Sequence, residues 1–124
     1  MGDLSKNFDR SEFACRGDNC CGHSAPIDPD LIAALQLLRD RIARPLTITS
    51  GFRCNRHNAA VGGADNSLHT LGMAADVIPP ENMSPEQMAV IAEEIDRFKN
   101  GGIGIYPKWV HLDVRRTGKA RWRK

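Results

Sequence analysis

Ile103-Gly-Ile-Tyr-Pro-Lys-Trp-Val-His-Leu-Asp-Val114 is the stretch that decides how this chain folds. β-Branched and aromatic residues flank Pro107-Lys108, and the pattern reads as two strands joined by a tight turn. In the second strand Val110, Leu112 and Val114 alternate with His111 and Asp113. On a pleated strand the imidazole and the carboxylate then share one face, opposite the apolar residues. Two polar side chains aimed the same way from a small sheet need a reason.

Working outward, Ala74-Ala-Asp-Val-Ile78 reads as a further strand closed by Pro79-Pro80, and Leu46-Thr-Ile-Thr49 as another, ending at Ser50-Gly51. Asp28-Pro29 is a helix start, with Asp as N-cap and Pro at the first helical position. Leu31, Leu35, Leu38 and Ile42 follow at helical spacing, so a helix is expected from Pro29 to Ala43, stopped by Pro45. Ser84-Pro85-Glu86-Gln87 is a capping box, and Met88, Ile91, Ala92, Ile95 and Phe98 line one face of the helix behind it, which Asn100-Gly-Gly102 should end. One or two helical turns are expected from Cys54 to Ala60. The fold class is therefore α+β: two main helices packed on a small, mainly antiparallel sheet.

The length of 124 residues allows one domain, covering 1–124. Residues 1–27 lack sustained periodicity and read as an N-terminal arm with a short helical turn around Ser11–Ala14. Residues 115–124 hold Arg115, Arg116, Lys119, Arg121, Arg123 and Lys124 without an acid. That run reads as a solvated basic tail or, alternatively, as an attraction to a polyanion such as wall phosphates. A net charge of +2 is too small to argue for nucleic acid. No apolar run suits membrane insertion or a signal-peptide core, so synthesis in the cytoplasm without a recognisable signal is expected.

Ser67-Leu-His69-Thr-Leu-Gly72-Met-Ala-Ala-Asp76 carries the other half of a candidate site. His69 falls on a loop and Asp76 on the strand after it. The small residues Gly72, Ala74 and Ala75 let backbone pass close to a metal centre. His69, Asp76 and His111 together make a reasonable zinc or iron set, three ligands with a fourth position left for water. A satisfied structural role is the plainer reading of any single histidine, and His23 and His57 are left there. Cys15, Cys20, Cys21 and Cys54 stay open among three states: a second zinc site of Cys15, Cys20, Cys21 and His23, a disulfide from this loop to Cys54, or free thiols.

Several of these motifs together resemble a known family. Ser50-Gly-Phe-Arg53, Asn58-Ala-Ala-Val-Gly-Gly63, Ser67-x-His69-x-x-Gly72-x-Ala74-x-Asp76 and Gly102-Ile-Gly-Ile-Tyr106…Val110-His-Leu-Asp113 resemble the zinc D-alanyl-D-alanine carboxypeptidases. That family also includes phage L-alanoyl-D-glutamate endopeptidases, vancomycin-resistance dipeptidases and the hedgehog signalling fold. The resemblance runs from about Phe8 to Trp122. It implies a hedgehog-like peptidase fold, about one Zn2+ per chain on His69, Asp76 and His111, and a peptidoglycan peptide as substrate. It further implies a phage or prophage endolysin acting on the cell wall, expected as a monomer. The Arg matching Arg53 is associated with substrate or transition state in the family, and Ser67 either hydrogen-bonds near the metal or shapes the loop. Many relatives carry the proton-accepting acid three residues before the last histidine ligand. Here Lys108 stands in that place, which leaves Asp113 as the substitute base. The same departure supports the alternative of a non-catalytic, zinc-stabilised cell-wall or protein binding module. Trp109 and Trp122 read as packing or rim residues.

Overall fold

The computed structural model describes residues 2–64 and 67–124. Five strands form one sheet: β1 Thr47–Ser50, β2 Ala74–Ile78, β3 Gly102–Ile105, β4 Val110–Asp113 and β5 Ala120–Arg123, in the spatial order β1-β2-β4-β3-β5. All neighbours are antiparallel except β3 and β5, which run parallel. The helices are α1 Pro29–Ile42, α2 Asn55–Ala60, α3 Pro85–Ala92 and α4 Asp96–Lys99, with short 3-10 turns at Arg10–Phe13 and Leu68–Leu71. This is the expected α+β class, and the hairpin around Pro107-Lys108 is β3–β4.

Register explains how the sheet divides its labour. Val77, Val110 and Ile105 align across three strands, as do Ala75, Leu112 and Ile103. These residues face the core with Leu31, Leu35 and Leu38 of α1 and Met88 of α3. The opposite face carries Asp76, His111, Gly104 and Trp122 in one row across β2, β4, β3 and β5. Ser50 extends that row on β1, brought opposite Asp76 by a register shift between Ile48 and Ser50. Such a bulge re-aims side chains at the edge of a site.

Helix α1 begins as its sequence dictates: the Asp28 carboxylate accepts the Asp30 N–H at 2.8 Å and Pro29 needs no partner. It ends at Ala43 in the left-handed region, φ 60°, whose N–H bonds the Arg39 carbonyl. The single helix expected behind Ser84 is instead two. The Ile95 N–H bonds the Ala92 carbonyl three residues back, and Ile95 itself is extended, φ −97° and ψ 114°, before α4 restarts. The tighter turn resets the helical phase, and Ile95 and Phe98 still reach the core.

Both ends of the chain are built into the fold. Phe8 and Phe13 of the arm are buried edge to face, centroids 5.9 Å apart, and the Phe52 N–H bonds the Phe13 carbonyl. The basic segment, expected as a tail, contains strand β5. Its charges are largely engaged: Arg115 with Asp113, Arg116 with Asp28 and Asp30, Arg121 with Glu93, Arg123 with Glu86. Arg121 also donates to the carbonyls of Lys99 and Gly101 at 2.7 and 2.9 Å, where α4 ends.

The carbonyl bonds, not the half-exposed ion pair, should therefore fasten β5. Arg121→Ala is expected to cost about 1.5–3 kcal/mol, as for hydrogen bonds made by a charged group. Glu93→Gln should cost under about 1 kcal/mol, because solvent screens the pair. Urea unfolding of both variants checks this; equal losses would assign the anchoring to the ion pair.

Candidate metal centre

His69, Asp76 and His111 converge on the polar face of the sheet. His69 Nε2 and His111 Nδ1 each stand 3.3 Å from Asp76 Oδ1. The ligand atoms of all three lie within 4.8 Å of one another. A tetrahedron with bonds of about 2.0 Å has edges of about 3.3 Å, so the donor set fits a zinc-sized ion.

Each imidazole is held with the correct nitrogen inward. His69 lies in the Leu68–Leu71 turn, where Ser67 Oγ accepts its backbone N–H at 3.2 Å. Ser67 thus ties this turn by its hydroxyl, and it also lines the cleft. Gly72 ends the turn at φ +70°, which glycine adopts without strain. The carbonyl of Gly51 takes the His69 Nδ1–H at 2.8 Å, leaving Nε2 for a metal. The Arg53 N–H bonds the His69 carbonyl, so the 51–53 segment grips the turn from two points. His111 Nε2 meets Asp113 Oδ2 at 2.8 Å, leaving Nδ1 to face Asp76. A hydrogen bond on the far nitrogen is how proteins set tautomer and ring angle in metal-binding histidines.

Asp113 is completely buried, with no exposed surface. Its oxygens accept from Gly102 N, Arg115 N, Arg115 Nε, Arg115 Nη2 and His111 Nε2 at 2.7–3.1 Å. A Cβ on Gly102 would collide with this carboxylate, so glycine is what admits it. Burial pushes the Asp113 carboxyl up, but His111 and Arg115 outweigh burial and hold it well below the usual range. Asp76 behaves alike: burial raises it, and the hydrogen bonds and charges of His111 and His69 pull it down further. For His111, burial opposes the charge, yet bonds to Asp113 and Asp76 raise its pKa.

Arg53 is mostly buried at the cleft wall. It donates to Ser50 Oγ at 3.1 Å, Asn58 Oδ1 at 3.3 Å and Asp76 Oδ2 at 3.3 Å. The centre opens on a cleft of about 1030 Å³. Trp122 forms part of its wall: its ring centroid is 4.9 Å from that of His111, and the Arg115 guanidinium lies over it. The absent side chain of Gly104 leaves the indole its place. Tyr106 stacks on Trp109 at 4.7 Å and accepts the Trp122 Nε1–H at 3.1 Å. Trp109 and Trp122 line the cleft together with Tyr106 and Arg115, two residues not singled out from the sequence as parts of the site. Alternation within Ala120-Arg-Trp-Arg123 was the available signal for Trp122, masked by the charge of the segment. Lys108 is exposed in the β3–β4 turn and does not line the cleft.

A family model described as Peptidase M15 matches residues 6–113. The chain belongs to the peptidase M15 family. Members of this family are metal-dependent peptidases, in keeping with the His69, Asp76 and His111 donor set. Comparison with curated proteins returns no match.

Opposite pH responses with and without metal should follow from His111. Its folded-state pKa lies above the ordinary 6.5, so its contribution to stability is full below about pH 6.5 and is lost as pH rises through the raised value. A metal instead needs the neutral ring. Chelator-treated protein should melt at lower temperature as pH climbs past about 6.5, and zinc-supplemented protein should gain over the same interval. Below about pH 4 both forms should weaken as Asp76 and Asp113 take up protons. Scanning fluorimetry across pH tests this, and parallel slopes on the alkaline side would remove His111 from the centre.

Proposed function

We propose that this protein is a zinc peptidase that hydrolyses peptidoglycan stem peptides or cross-links on the cell wall, as an endolysin of a phage or prophage. The observation that carries the reading is the His69, Asp76 and His111 set at tetrahedral spacing, open to a cleft, in a chain of the peptidase M15 family. The cleft wall adds support: Arg53, Arg115 and Lys124 line it, and Asp76 is the acid among the described lining residues. Asp76 and the buried Asp113 pair with Arg53 and Arg115, so what the wall offers a carboxylate of a stem peptide is Lys124 together with the Arg53 N–H groups not spent within the chain.

When bound here, zinc would polarise the scissile carbonyl and lower the pKa of a water toward about 7. The remaining roles belong to the chain. His69 and His111 are presented with fixed tautomers. Asp76 is kept ionised between two imidazoles and Arg53. The guanidinium of Arg53, with N–H groups beyond those spent on Ser50, Asn58 and Asp76, is placed to pair with a substrate carboxylate or steady an oxyanion. Tyr106, Trp109 and Trp122 give the peptide an aromatic wall. Asp113 is better suited to orient His111 than to accept a proton. Its lone pairs are engaged, and its low pKa makes it a weak base.

The second reading, a zinc-stabilised binding module, is favoured by one observation: Asp76, itself a candidate metal ligand, is the acid among the described cleft residues, and the exposed Lys108 is not among them. Incubating zinc-loaded protein with purified peptidoglycan and mapping fragments by mass spectrometry decides between them. Cleaved stem peptides are expected; intact but bound peptidoglycan would establish the module.

Two variants probe the roles. Arg53→Ala should lower kcat/KM per folded molecule by about 10²–10³, the loss seen on removing an oxyanion donor, and should also cost about 1.5–3 kcal/mol of stability, because Asn58 and Asp76 lose a buried charged donor. A large loss of stability at unchanged activity would make it a structural ion-pair residue. Asp113→Asn should weaken zinc binding roughly 10–100-fold and regain turnover in excess zinc. Turnover that stays about 10²–10⁴-fold down at saturating zinc would restore Asp113 as the general base.

A further inference from the structure

Cys15, Cys20, Cys21 and Cys54 come from two separate parts of the chain, yet their sulfurs meet. Cys15 Sγ lies 3.9 Å from Cys20 Sγ and 3.8 Å from Cys54 Sγ, and Cys20 Sγ lies 3.9 Å from Cys21 Sγ. All four sulfurs are within 4.8 Å of one another. Zinc–thiolate bonds of about 2.3 Å in a tetrahedron require sulfur–sulfur edges of about 3.8 Å. Disulfides need pairs at about 2.05 Å. Cys15 is as near to Cys20 as to Cys54, and Cys20 is as near to Cys21 as to Cys15, so the sulfurs do not sort into two couples.

We propose that Cys15, Cys20, Cys21 and Cys54 form a tetrathiolate site for a second, structural zinc ion, which clamps the N-terminal arm to the segment that carries Arg53. His23 is not among the converging donors: the fourth is Cys54, and His23 Nδ1 instead bonds the Cys15 carbonyl at 2.9 Å. Backbone donors face the sulfurs, as thiolates bound to metal require. The His57 N–H points to Cys54 Sγ and the Ser24 N–H to Cys21 Sγ, each at 3.4 Å. Cys15 is buried, whereas Cys20, Cys21 and Cys54 are partly exposed, which gives the ion a way in.

The position explains the purpose. Cys54 follows Arg53 directly and precedes α2, whose Asn58 accepts from Arg53. Three residues before Cys54, Gly51 holds His69. An ion fixing Cys54 to the arm therefore stiffens the strip that supports both Arg53 and a ligand of the first metal. Among the described residues of the arm the longest regular element is its 3-10 turn, and the Phe52 N–H on the Phe13 carbonyl is a backbone tie from the arm to the 51–54 segment that the ion would reinforce.

The test uses the full chain purified under reducing conditions, with zinc as the probe. Zinc is quantified in wild type and in a His69→Ala/His111→Ala variant, and intact mass is read after alkylation of native protein. The double variant should keep about one zinc and wild type about two, with all four thiols protected until a strong chelator is added. Cobalt(II) replacing zinc in the double variant should give the intense thiolate charge-transfer absorption of a tetrathiolate centre, weakened in Cys54→Ser. A double variant that misfolds does not spoil the test, because thiol protection and zinc content are also read on wild type. One zinc with alkylation-resistant cysteines in wild type would uphold this site and count against the histidine centre. Freely alkylated thiols, or a mass lowered by lost thiol hydrogens, would overturn the proposal in favour of free cysteines or disulfides.

Discussion

Everything at the site depends on Asp76 standing opposite His111 across β2 and β4. Side chains alternate along a strand, so sliding either strand by one residue would send the carboxylate or the imidazole into the core. The apolar row of Val77, Val110 and Ile105 opposes that slip with its own burial. The register is thus enforced by the side of the sheet that does no chemistry. The bulge in β1 and the glycines of β3 then adjust the polar face locally without disturbing the hydrophobic one.

A fully buried carboxylate is normally destabilising unless paired and hydrogen-bonded. Asp113 meets that demand with five donors from β3, β4 and the segment after β4. The group tolerated at this cost acts through His111, whose ring it aims. Gly51 does the same for His69 with a neutral carbonyl. The two imidazoles are therefore set by partners of different charge, and the bonds to Asp113 and Asp76 raise the His111 pKa while Asp113 stays ionised.

Much of this was legible in the sequence. The alternation of Val110 to Val114 placed His111 and Asp113 on one face. Caps at Asp28 and Ser84 located α1 and α3 at their starts, and His69, Asp76 and His111, which the fold brings together as a candidate donor set, stood out by residue type and by the family resemblance. What escaped has physical reasons. The break near Ile95 arises from hydrogen bonding that tightens at the end of α3, while the apolar spacing continues as though nothing had happened. Strand β5 hides because Arg121 and Arg123 find acids on α3 and carbonyls at the end of α4, contacts that no local pattern announces. The convergence of Cys54 on the arm likewise depends on how residues far apart in the chain are brought together by packing.

Strand β5 is the outer strand on one side of the sheet, and an outer strand offers unpaired backbone groups to any passing chain. Its sequence, Ala120-Arg-Trp-Arg123, puts arginines alternately with the tryptophan that walls the cleft. Another copy adding itself there would have to bring its own arginines alongside these while Trp122 stays turned into the cleft. The charges that looked like an invitation to polyanions thus also serve as a guard against strand-to-strand aggregation.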